Sequence, residues 1–335
     1  MIEALLYEKL GNELVRCNLC NHHCKIAENN HGFCGVRENI KGILYTNSYG
    51  KIVASNIDPI EKKPLYNFLP GSKSFSIAAA GCNFRCGFCQ NWQISQVLPK
   101  SDAILGQELA PLSIIKQAIR NNCKSISYTY TEPTIFFEYA FETAKLAREN
   151  SLSNIFVTNG YMTEECLKMV SPYLDATNID LKFFSEQSYN KICKAKLGPV
   201  LDSIKLMHKL GVWIEITTLI IPKLNDSVEE LSDIANFIAK LDKNIPWHVS
   251  RFHPDYEFED FDLTSDETLR KAQKIGISAG LNFVYAGNVF GWGSDTICPA
   301  CKKTIIKREG FSILEYNVKK CKCGFCKEII PGVFS

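Results

Sequence analysis

The chain has 335 residues, of which 46% are hydrophobic, and a formal net charge of +2. Its length predicts about two domains with a large apolar core, and the small net charge does not favour attraction to nucleic acid or to an acidic membrane surface. The opening MIEALLYEKLGNEL lacks the apolar segment of a signal peptide, and no stretch approaches the ~20 apolar residues of a membrane span. We therefore expect a cytoplasmic globular protein without a membrane partner.

Twelve of the fifteen cysteines lie in three groups at metal-ligand spacings, which in a cytoplasmic protein indicate metal or redox sites rather than disulfides. The first group lies within residues 1–72, which we predict to be a cysteine-rich metal module with lead-in strands. Its four thiols can close a tetrahedral zinc site or hold an iron–sulfur cluster, and unliganded thiols remain an alternative. The group consists of Cys17, Cys20, Cys24 and Cys34, with His22, His23 and His31 as spare ligands.

The second group, Cys82, Cys86 and Cys89, has the spacing C-x3-C-x2-C and follows the apolar run Phe75–Ala80, a predicted strand. Three thiolates on one loop suit a cubane iron–sulfur cluster, which normally takes four. One iron would then stay open for chemistry, as the free position of a catalytic zinc does. The alternative, a zinc knuckle with a distant fourth ligand, is less favoured because zinc sites usually pair cysteines as C-x2-C at both ends.

Between the outer groups, short β-branched runs alternate with helical stretches, which predicts a parallel sheet with crossover helices. We predict an α/β fold with a partial (β/α)6 TIM-like barrel over residues 73–293 and chemistry at the carboxyl ends of its strands. The predicted strands are Ser74–Ala80, Ser125–Tyr130, Asn154–Thr158, Ala176–Leu181, Trp213–Ile220, Trp247–Ser250 and Asn282–Tyr285. The predicted helices are Leu112–Asn121, Thr134–Asn150, Thr163–Val170, Val200–Leu210, Ser227–Leu241 and Asp266–Ala279.

The third group forms two C-x2-C pairs, which is the ligand pattern of a zinc ribbon. The segment between the pairs alternates like a hairpin around Glu309 and Gly310. We predict a structural zinc ion in a ribbon over residues 294–335. The ligands would be Cys298, Cys301, Cys323 and Cys326, with Cys321 adjacent.

The second cysteine group, at the end of the first strand of an α/β chain, resembles the radical S-adenosylmethionine (radical SAM) superfamily. The resemblance implies a [4Fe–4S] cluster on Cys82, Cys86 and Cys89 as the catalytic centre, with SAM chelated at the open iron. It implies reductive cleavage of SAM to methionine and a 5′-deoxyadenosyl radical that abstracts hydrogen from a substrate. A reductant protein of the flavodoxin or ferredoxin type would be the electron donor.

Further motifs at the predicted strand ends resemble SAM-binding motifs of glycyl-radical-enzyme activases. Glu132-Pro133 matches the end of a Gly-Gly-Glu-like motif, with Thr131 replacing a glycine. Thr158-Asn159-Gly160 resembles Asp-Thr-Asn-Gly with Val157 in place of the aspartate, and Asp180-Leu181-Lys182 matches Asp-Leu-Lys, whose lysine reaches the SAM carboxylate. The implied cofactor-binding residues are Phe88, Thr131, Glu132, Thr158, Asn159, Asp180, Lys182, Thr217 and His253.

Each of these motifs also has a purely structural interpretation. Glu132 and Pro133 fit the first turn of a helix, and Thr158-Asn159-Gly160 fits a plain turn. Asp180 and Lys182 could form a structural ion pair. Polar residues such as Thr217 and His253 at later strand ends are often only solvated.

Residues 15 to 335 as a whole resemble the radical SAM enzymes of the AmmeMemoRadiSam system, which are related to pyruvate formate-lyase activating enzyme. That resemblance implies Memo-like and AMMECR-like partner proteins. It is carried by Cys17-x2-Cys20-x3-Cys24, Gly32-Phe33-Cys34-Gly35-Val36-Arg37, Ala80-Gly81-Cys82-Asn83-Phe84-x-Cys86, Phe88-Cys89-Gln90-Asn91, Tyr130-Thr131-Glu132-Pro133, Val284-Tyr285-x-Gly287-Asn288 and Ile330-Pro331-Gly332-Val333.

Three hypotheses for the function follow. The first is a radical SAM enzyme that acts on a small molecule, and the second is an activase or modifying enzyme that acts on a protein or peptide. The third is a metal-bearing module that binds nucleic acid through the locally basic tail. The third is the weakest, because such a surface should combine a basic stripe with aromatic side chains.

Overall fold

The computed structural model describes residues 1–96 and 106–334. Residues 2–46 form six short strands in two antiparallel sheets, ordered β1-β6-β5 and β2-β3-β4. Their bounds are β1 Ile2–Glu3, β2 Tyr7–Gly11, β3 Leu14–Cys17, β4 Lys25–Ile26, β5 Arg37–Ile40 and β6 Ile43–Thr46. The pairing of β3 with β4 brings Cys17 and Cys24 together, since the Cys17 N–H donates to the Cys24 carbonyl at 2.9 Å.

The centre of the molecule is a nine-stranded sheet of order β15-β14-β13-β12-β11-β10-β8-β7-β9. Strands β8 and β10 to β15 pair in parallel, whereas β7 and β9 add to one edge in antiparallel fashion. All seven strands predicted from the sequence are present. The bounds are β7 Lys51–Pro59, β8 Lys73–Ala79, β9 Gln107–Glu108, β10 Ser125–Tyr128, β11 Ser153–Thr158, β12 Ala176–Asp180, β13 Trp213–Ile220, β14 Trp247–Arg251 and β15 Val284–Gly287.

Helices connect successive parallel strands, as the alternating sequence predicts. Side-chain caps fix several helix starts: Ser227 accepts from the Glu230 N–H at 3.1 Å and Ser265 from the Thr268 N–H at 3.1 Å. The helices are α1 Trp92–Ser95, α2 Pro111–Arg120, α3 Phe137–Glu149, α4 Glu164–Val170, α5 Glu186–Ser188, α6 Leu197–Lys209, α7 Val228–Leu241 and α8 Asp266–Ser278. Among the described residues, none of these helices has the length and apolar character needed to cross a membrane.

The C-terminal segment is built from a three-stranded and a two-stranded antiparallel sheet. Its predicted hairpin is present, because β17 and β18 pair antiparallel and Gly310, with φ of +57°, lies in the turn. The strands are β16 Thr296–Ile297, β17 Thr304–Glu309, β18 Ser312–Tyr316, β19 Val318–Lys319 and β20 Lys322–Cys323.

A buried guanidinium joins the C-terminal segment to the central sheet. Arg308 contacts the Glu61 carboxylate at 3.4 Å and donates to the Tyr66 carbonyl at 2.9 Å. Tyr66 in turn packs on His248 and Tyr285, near the amino ends of β14 and β15. The segment therefore lies at the end of the parallel sheet opposite to the loop that carries Cys82.

Candidate active site

The loop cysteines, Cys82, Cys86 and Cys89, follow β8 and line one cavity of about 250 Å³. Cys82 and Cys86 are buried, and Cys89 is half-buried. The Phe84 N–H and the Asn159 side-chain amide point to the Cys82 sulfur at 3.3 and 3.4 Å. The structure therefore brings together the three thiols that the sequence singled out.

The loop can approach its neighbours closely because two positions lack a side chain. A Cβ at Gly81, where φ is +102°, would meet the Val36 side chain at 2.9 Å. A Cβ at Gly87 would meet the Phe258 ring at 2.7 Å. Glycine is thus required at both positions for this packing.

Burial disfavours the thiolate form of the loop cysteines. Burial raises the pKa of Cys82, and the nearby Glu132 carboxylate raises it further. Burial also raises the pKa of Cys89. Metal binding at this loop must therefore displace protons, because thiolates are the ligands.

Cys193 is a neighbour of the loop that sequence reasoning did not identify. A hydrogen bond with Cys193, together with burial, raises the pKa of Cys86 well above its ordinary value. The Arg85 N–H donates to the Cys193 carbonyl at 3.0 Å, which fastens the helical turn Tyr189–Cys193 to the loop. No spacing in the sequence signals this contact, since it depends on how that turn folds over the loop.

Polar side chains from the carboxyl ends of neighbouring strands surround the same cavity, as expected for a parallel sheet. Six of the nine predicted cofactor-binding residues line it: Phe88, Thr131, Asn159, Asp180, Lys182 and Thr217. The cavity is also lined by residues that the sequence did not single out as ligands, among them Asn91, Tyr130, Ser250 and Asn288. Tyr130 is placed by Asn91, whose side-chain amide donates to its carbonyl at 2.9 Å.

Lys182 supplies the cation of the site. Its ammonium lies 2.9 Å from the Asp180 carboxylate and 5.8 Å from the centre of the Phe88 ring. Burial alone would lower the pKa of Lys182, but the adjacent Asp180 carboxylate raises it well above its ordinary value. The lysine is therefore charged at neutral pH and available to an anionic ligand group.

Two buried polar atoms beside the loop have no protein partner among the described residues: the Thr217 hydroxyl and the Asn83 side-chain nitrogen. A buried polar group without a partner costs free energy, and native structures usually satisfy such groups. Because Thr217 lines the cavity, a bound polar ligand can supply the missing partner.

Glu132 lies behind the cavity wall rather than among the residues that line it. Its buried carboxylate accepts from the Thr158 hydroxyl and the Asn159 N–H, both at 2.7 Å, and from the Thr134 N–H and hydroxyl at 3.1 and 2.5 Å. Burial raises the pKa of Glu132. This geometry fits the helix-turn interpretation of Glu132, and it holds Asn159 against Cys82.

His253 also lies outside the cavity lining. It is exposed, and one ring nitrogen lies 2.9 Å from the side-chain nitrogen of Gln90, which does line the cavity. The two residues form part of the rim.

The N-terminal quartet, Cys17, Cys20, Cys24 and Cys34, is also brought together. Burial raises the pKa of Cys20, and charges on the other three thiols raise it further. The Phe33 N–H lies 3.4 Å from the Cys24 sulfur, and the Arg37 guanidinium lies 3.3 Å from the Cys17 sulfur. The quartet therefore forms one side-chain cluster.

The C-terminal quartet, Cys298, Cys301, Cys323 and Cys326, can bind a metal ion. Its four sulfurs all lie within 4.8 Å of one another, with Cys298 3.6 Å from Cys326 and Cys301 3.8 Å from Cys323. Against the effect of burial, the N–H groups of Cys326 and Phe325 lower the pKa of Cys323 to about 7. Cys321 is not one of the four.

Comparison with known proteins identifies the family. Residues 76–238 match the model of the radical SAM superfamily, and the matched segment contains the loop cysteines, most of β8 and the four parallel strands β10 to β13. The chain belongs to the radical SAM superfamily. It is 47% identical to an uncharacterized protein of Methanocaldococcus jannaschii, over 99% of this chain and 100% of that protein.

Activating enzymes and solved radical SAM structures are more distant relatives. The pyruvate formate-lyase-activating enzyme of Clostridium pasteurianum is 25% identical over 58% of this chain and 86% of its own length. The structure of Streptococcus suis SuiB bound to S-adenosylmethionine is 13% identical, with a TM-score of 0.52, over 70% of this chain and 56% of that chain. The fold is shared with SuiB, and this radical SAM protein is an enzyme.

The superfamily implies a [4Fe–4S] cluster and SAM, and the residues of this cavity fit both groups. Three thiols without a fourth at their own loop match a cluster with one open iron. The Lys182 cation suits a carboxylate, the unpartnered Thr217 hydroxyl suits a polar ligand, and Phe88 offers apolar surface.

Proposed function

We propose that this protein is a radical SAM enzyme whose loop cysteines hold a [4Fe–4S] cluster and whose strand ends bind SAM. The observation that supports this most is the convergence of Cys82, Cys86 and Cys89 on one cavity with Lys182 and Thr217. When bound, the reduced cluster supplies the electron that cleaves SAM to methionine and a 5′-deoxyadenosyl radical, which abstracts hydrogen from a substrate not yet identified.

The side chains around the cavity would bind and orient SAM. Lys182, held by Asp180, would bind the SAM carboxylate, and the Thr217 hydroxyl would complete its hydrogen bonding with the ligand. Thr131 and Asn159 contribute polar atoms to the wall, and Phe88 excludes water. Glu132 and Thr158 would act by positioning Asn159, and His253 through Gln90 at the rim.

The metal sites of the N-terminal and C-terminal quartets would hold bound metal without taking part in the cleavage of SAM. For the C-terminal quartet we propose one structural zinc ion in a ribbon, because two C-x2-C pairs leave no open coordination position. For the N-terminal quartet the ligand set is compatible with zinc or a cluster. We also propose a division into a metal module (1–72), a partial (β/α)6 barrel (73–293) and the ribbon (294–335).

An alternative is an activase-type enzyme that forms a radical or a modification on a partner protein or peptide. The similarity to the C. pasteurianum activating enzyme favours it. A flavodoxin- or ferredoxin-type reductant is common to both readings. The motifs of the AmmeMemoRadiSam resemblance would add Memo-like and AMMECR-like proteins as partners. A stable backbone radical in a partner protein would distinguish the alternative.

The test is product analysis after anaerobic incubation of the reconstituted, reduced protein with SAM. We expect methionine and 5′-deoxyadenosine from the wild type and neither from a Cys86→Ala variant. A Cys123→Ala variant, which removes a buried thiol outside the three groups, is the control and should keep the activity. Undiminished cleavage by Cys86→Ala would refute the proposal.

A further inference from the structure

The N-terminal quartet is in contact with the loop cysteines through two backbone segments. The His22 Nε2 atom lies 2.7 Å from the Asn83 carbonyl oxygen. A Cβ at Gly81 would lie 3.0 Å from the Cys34 carbonyl oxygen. Since Gly81 and Asn83 flank Cys82, a path of covalent bonds and one short hydrogen bond runs from Cys20 through His22 to Cys82.

The sulfur spacing differs between the two four-cysteine groups. Zinc binds thiolates at about 2.3 Å, which places the sulfurs of a tetrahedral site about 3.8 Å apart. The four sulfurs of the C-terminal quartet all lie within 4.8 Å of one another. Among the described residues, no two thiols of the N-terminal quartet form the hydrogen bond that joins Cys298 to Cys326 and Cys301 to Cys323.

The thiolate sulfurs around a cubane cluster lie farther apart than those around one zinc ion, because each thiolate binds a different iron atom of the cluster. The absence of such close sulfur pairs in the N-terminal quartet leaves room for a cluster between its four thiols. The C-terminal quartet, with sulfur pairs at 3.6 and 3.8 Å, has the spacing of a zinc site.

The surroundings of the quartet supply thiol ligands only. The three nearby histidines have other partners: His22 contacts Asn83, His23 contacts Asn18 at 3.2 Å, and His31 contacts Glu38 at 3.6 Å. The buried Arg37 guanidinium lies 3.3 Å from the Cys17 sulfur. Hydrogen bonds to cluster sulfurs favour the reduced state, so this cation would help the site to accept an electron.

We propose that the N-terminal quartet ligates a second [4Fe–4S] cluster, which passes electrons to the cluster on the loop cysteines. The relay role rests on the proposed function. In the step, the N-terminal cluster loses one electron and the loop cluster gains it, without making or breaking a bond. A one-electron reductant protein then restores the N-terminal cluster.

The test compares metal contents of variants purified without oxygen from cells supplied with iron and zinc. In a triple variant, Cys82→Ala, Cys86→Ala and Cys89→Ala, about four irons and four sulfides per chain should remain, against about eight of each in the wild type. A Cys20→Ala, Cys24→Ala variant should also keep about four irons and four sulfides per chain. The control variant Cys123→Ala should have the metal content of the wild type. The triple variant leaves the quartet intact, so the test does not depend on folding of the quartet variant.

A kinetic readout tests the relay. When a ferredoxin is the electron donor, reduction of the loop cluster should slow in the quartet variant, whereas reduction by dithionite should not. If ferredoxin reduces the loop cluster of the quartet variant as fast as that of the wild type, the relay is wrong.

The outcomes separate the two proposals. Zinc in place of iron in the triple variant, with about four irons in the wild type, would overturn the second cluster and leave the proposed function intact. Equal iron in the triple variant and the wild type would instead overturn the cluster on the loop cysteines.

Discussion

At Lys182, neighbouring charges outweigh the cost of burial. Burial acts to lower the pKa of this lysine, but the Asp180 carboxylate raises it well above the ordinary value. The ammonium is held 2.9 Å from one Asp180 oxygen and still lines the cavity. A single side chain thus supplies a fixed cation where a ligand carboxylate can bind.

Replacement of Lys182 by Met should weaken SAM binding and leave cluster content unchanged. A charge-assisted contact contributes about 1.5–3 kcal/mol, so we expect the Kd for SAM to rise by roughly 10- to 150-fold. Titration of SAM into the reconstituted protein measures the effect. Lys191→Met, at an exposed lysine, is the matched control. If Lys182→Met binds SAM with unchanged affinity, the Asp180–Lys182 pair has only a structural role.

Adjacent threonines on β13 allow a paired test of the cavity. The Thr217 hydroxyl lacks a protein partner among the described residues, whereas the Thr218 hydroxyl donates to the Leu181 carbonyl at 2.9 Å and accepts from the Trp247 indole at 3.0 Å. Thr217→Val should therefore weaken SAM binding by about 0.5–1.5 kcal/mol without loss of stability. Thr218→Val should instead lower the urea midpoint of unfolding. The reverse pattern would mean that Thr217 does not meet the ligand.

At the scale of elements, the carboxyl ends of β8 and β10 to β13 bring ligands from distant parts of the chain to one place. The loop after β8 contributes the three cysteines, and the ends of β10 to β13 each contribute one or two side chains, such as Thr131 after β10 and Asn159 after β11. The C-terminal hairpins arrange cysteines differently, because each C-x2-C pair lies on its own turn and the two turns face each other. The first arrangement leaves a cavity, and the second closes around one ion.

The C-terminal hairpins should hold one zinc ion per chain. Cys298→Ser combined with Cys323→Ser should lose about one equivalent of zinc without loss of iron, since this quartet has the ligands of a closed structural site. Elemental analysis of purified protein measures both metals. Cys321→Ser, which alters a neighbouring thiol outside the quartet, should keep the zinc, and iron bound at this quartet in the wild type would contradict the assignment.

Element types were predictable from the sequence because β-branched runs and amphipathic stretches differ in period. Strand β13 has the predicted bounds, whereas α6 begins at Leu197 rather than Val200. The predicted start excluded Gly198 and Pro199 because both residues usually break helices. Proline is, however, tolerated in the first helical turn. The predicted helix Thr134–Asn150 is divided, since Pro133–Phe136 forms a 3₁₀ turn before α3.

The site was predictable only where ligands are close in the sequence. The spacing of the loop cysteines is such a signal, and so is Asp180-Leu181-Lys182. The contact of Cys193 with Cys86 and the four hydrogen bonds that Glu132 accepts depend on tertiary packing. A local pattern does not encode which of two buried polar groups faces a cavity and which faces protein.

At the scale of the whole molecule, the two ends of the parallel sheet have different tasks. The carboxyl ends carry the cavity, while the amino ends are covered by the C-terminal segment through the pair of Arg308 and Glu61, both fully buried. The Glu215 carboxylate fixes the intervening chain by accepting from the N–H groups of Tyr66 and Asn67 at 2.9 and 2.8 Å. The tail is therefore part of the folded core.

Removal of the Arg308 charge should destabilise the protein strongly. Arg308→Met leaves the Glu61 carboxylate buried without its cation, which costs about 3–5 kcal/mol in comparable pairs. Urea unfolding measures the loss, and the double variant Arg308→Met with Glu61→Gln should recover much of it. A loss below about 1 kcal/mol, the usual value of an exposed pair, would mean that the tail docks independently of this contact.

The most direct test of the proposed function is whether SAM binds to the cluster on the loop cysteines. Electron paramagnetic resonance of the reduced protein should change when SAM is added, and SAM with a ¹⁷O-labelled carboxylate should show coupling between the oxygen nucleus and the cluster. Use of the Cys20→Ala, Cys24→Ala variant removes any signal from the N-terminal quartet. A reduced cluster whose spectrum is unaffected by saturating SAM would contradict the proposed function.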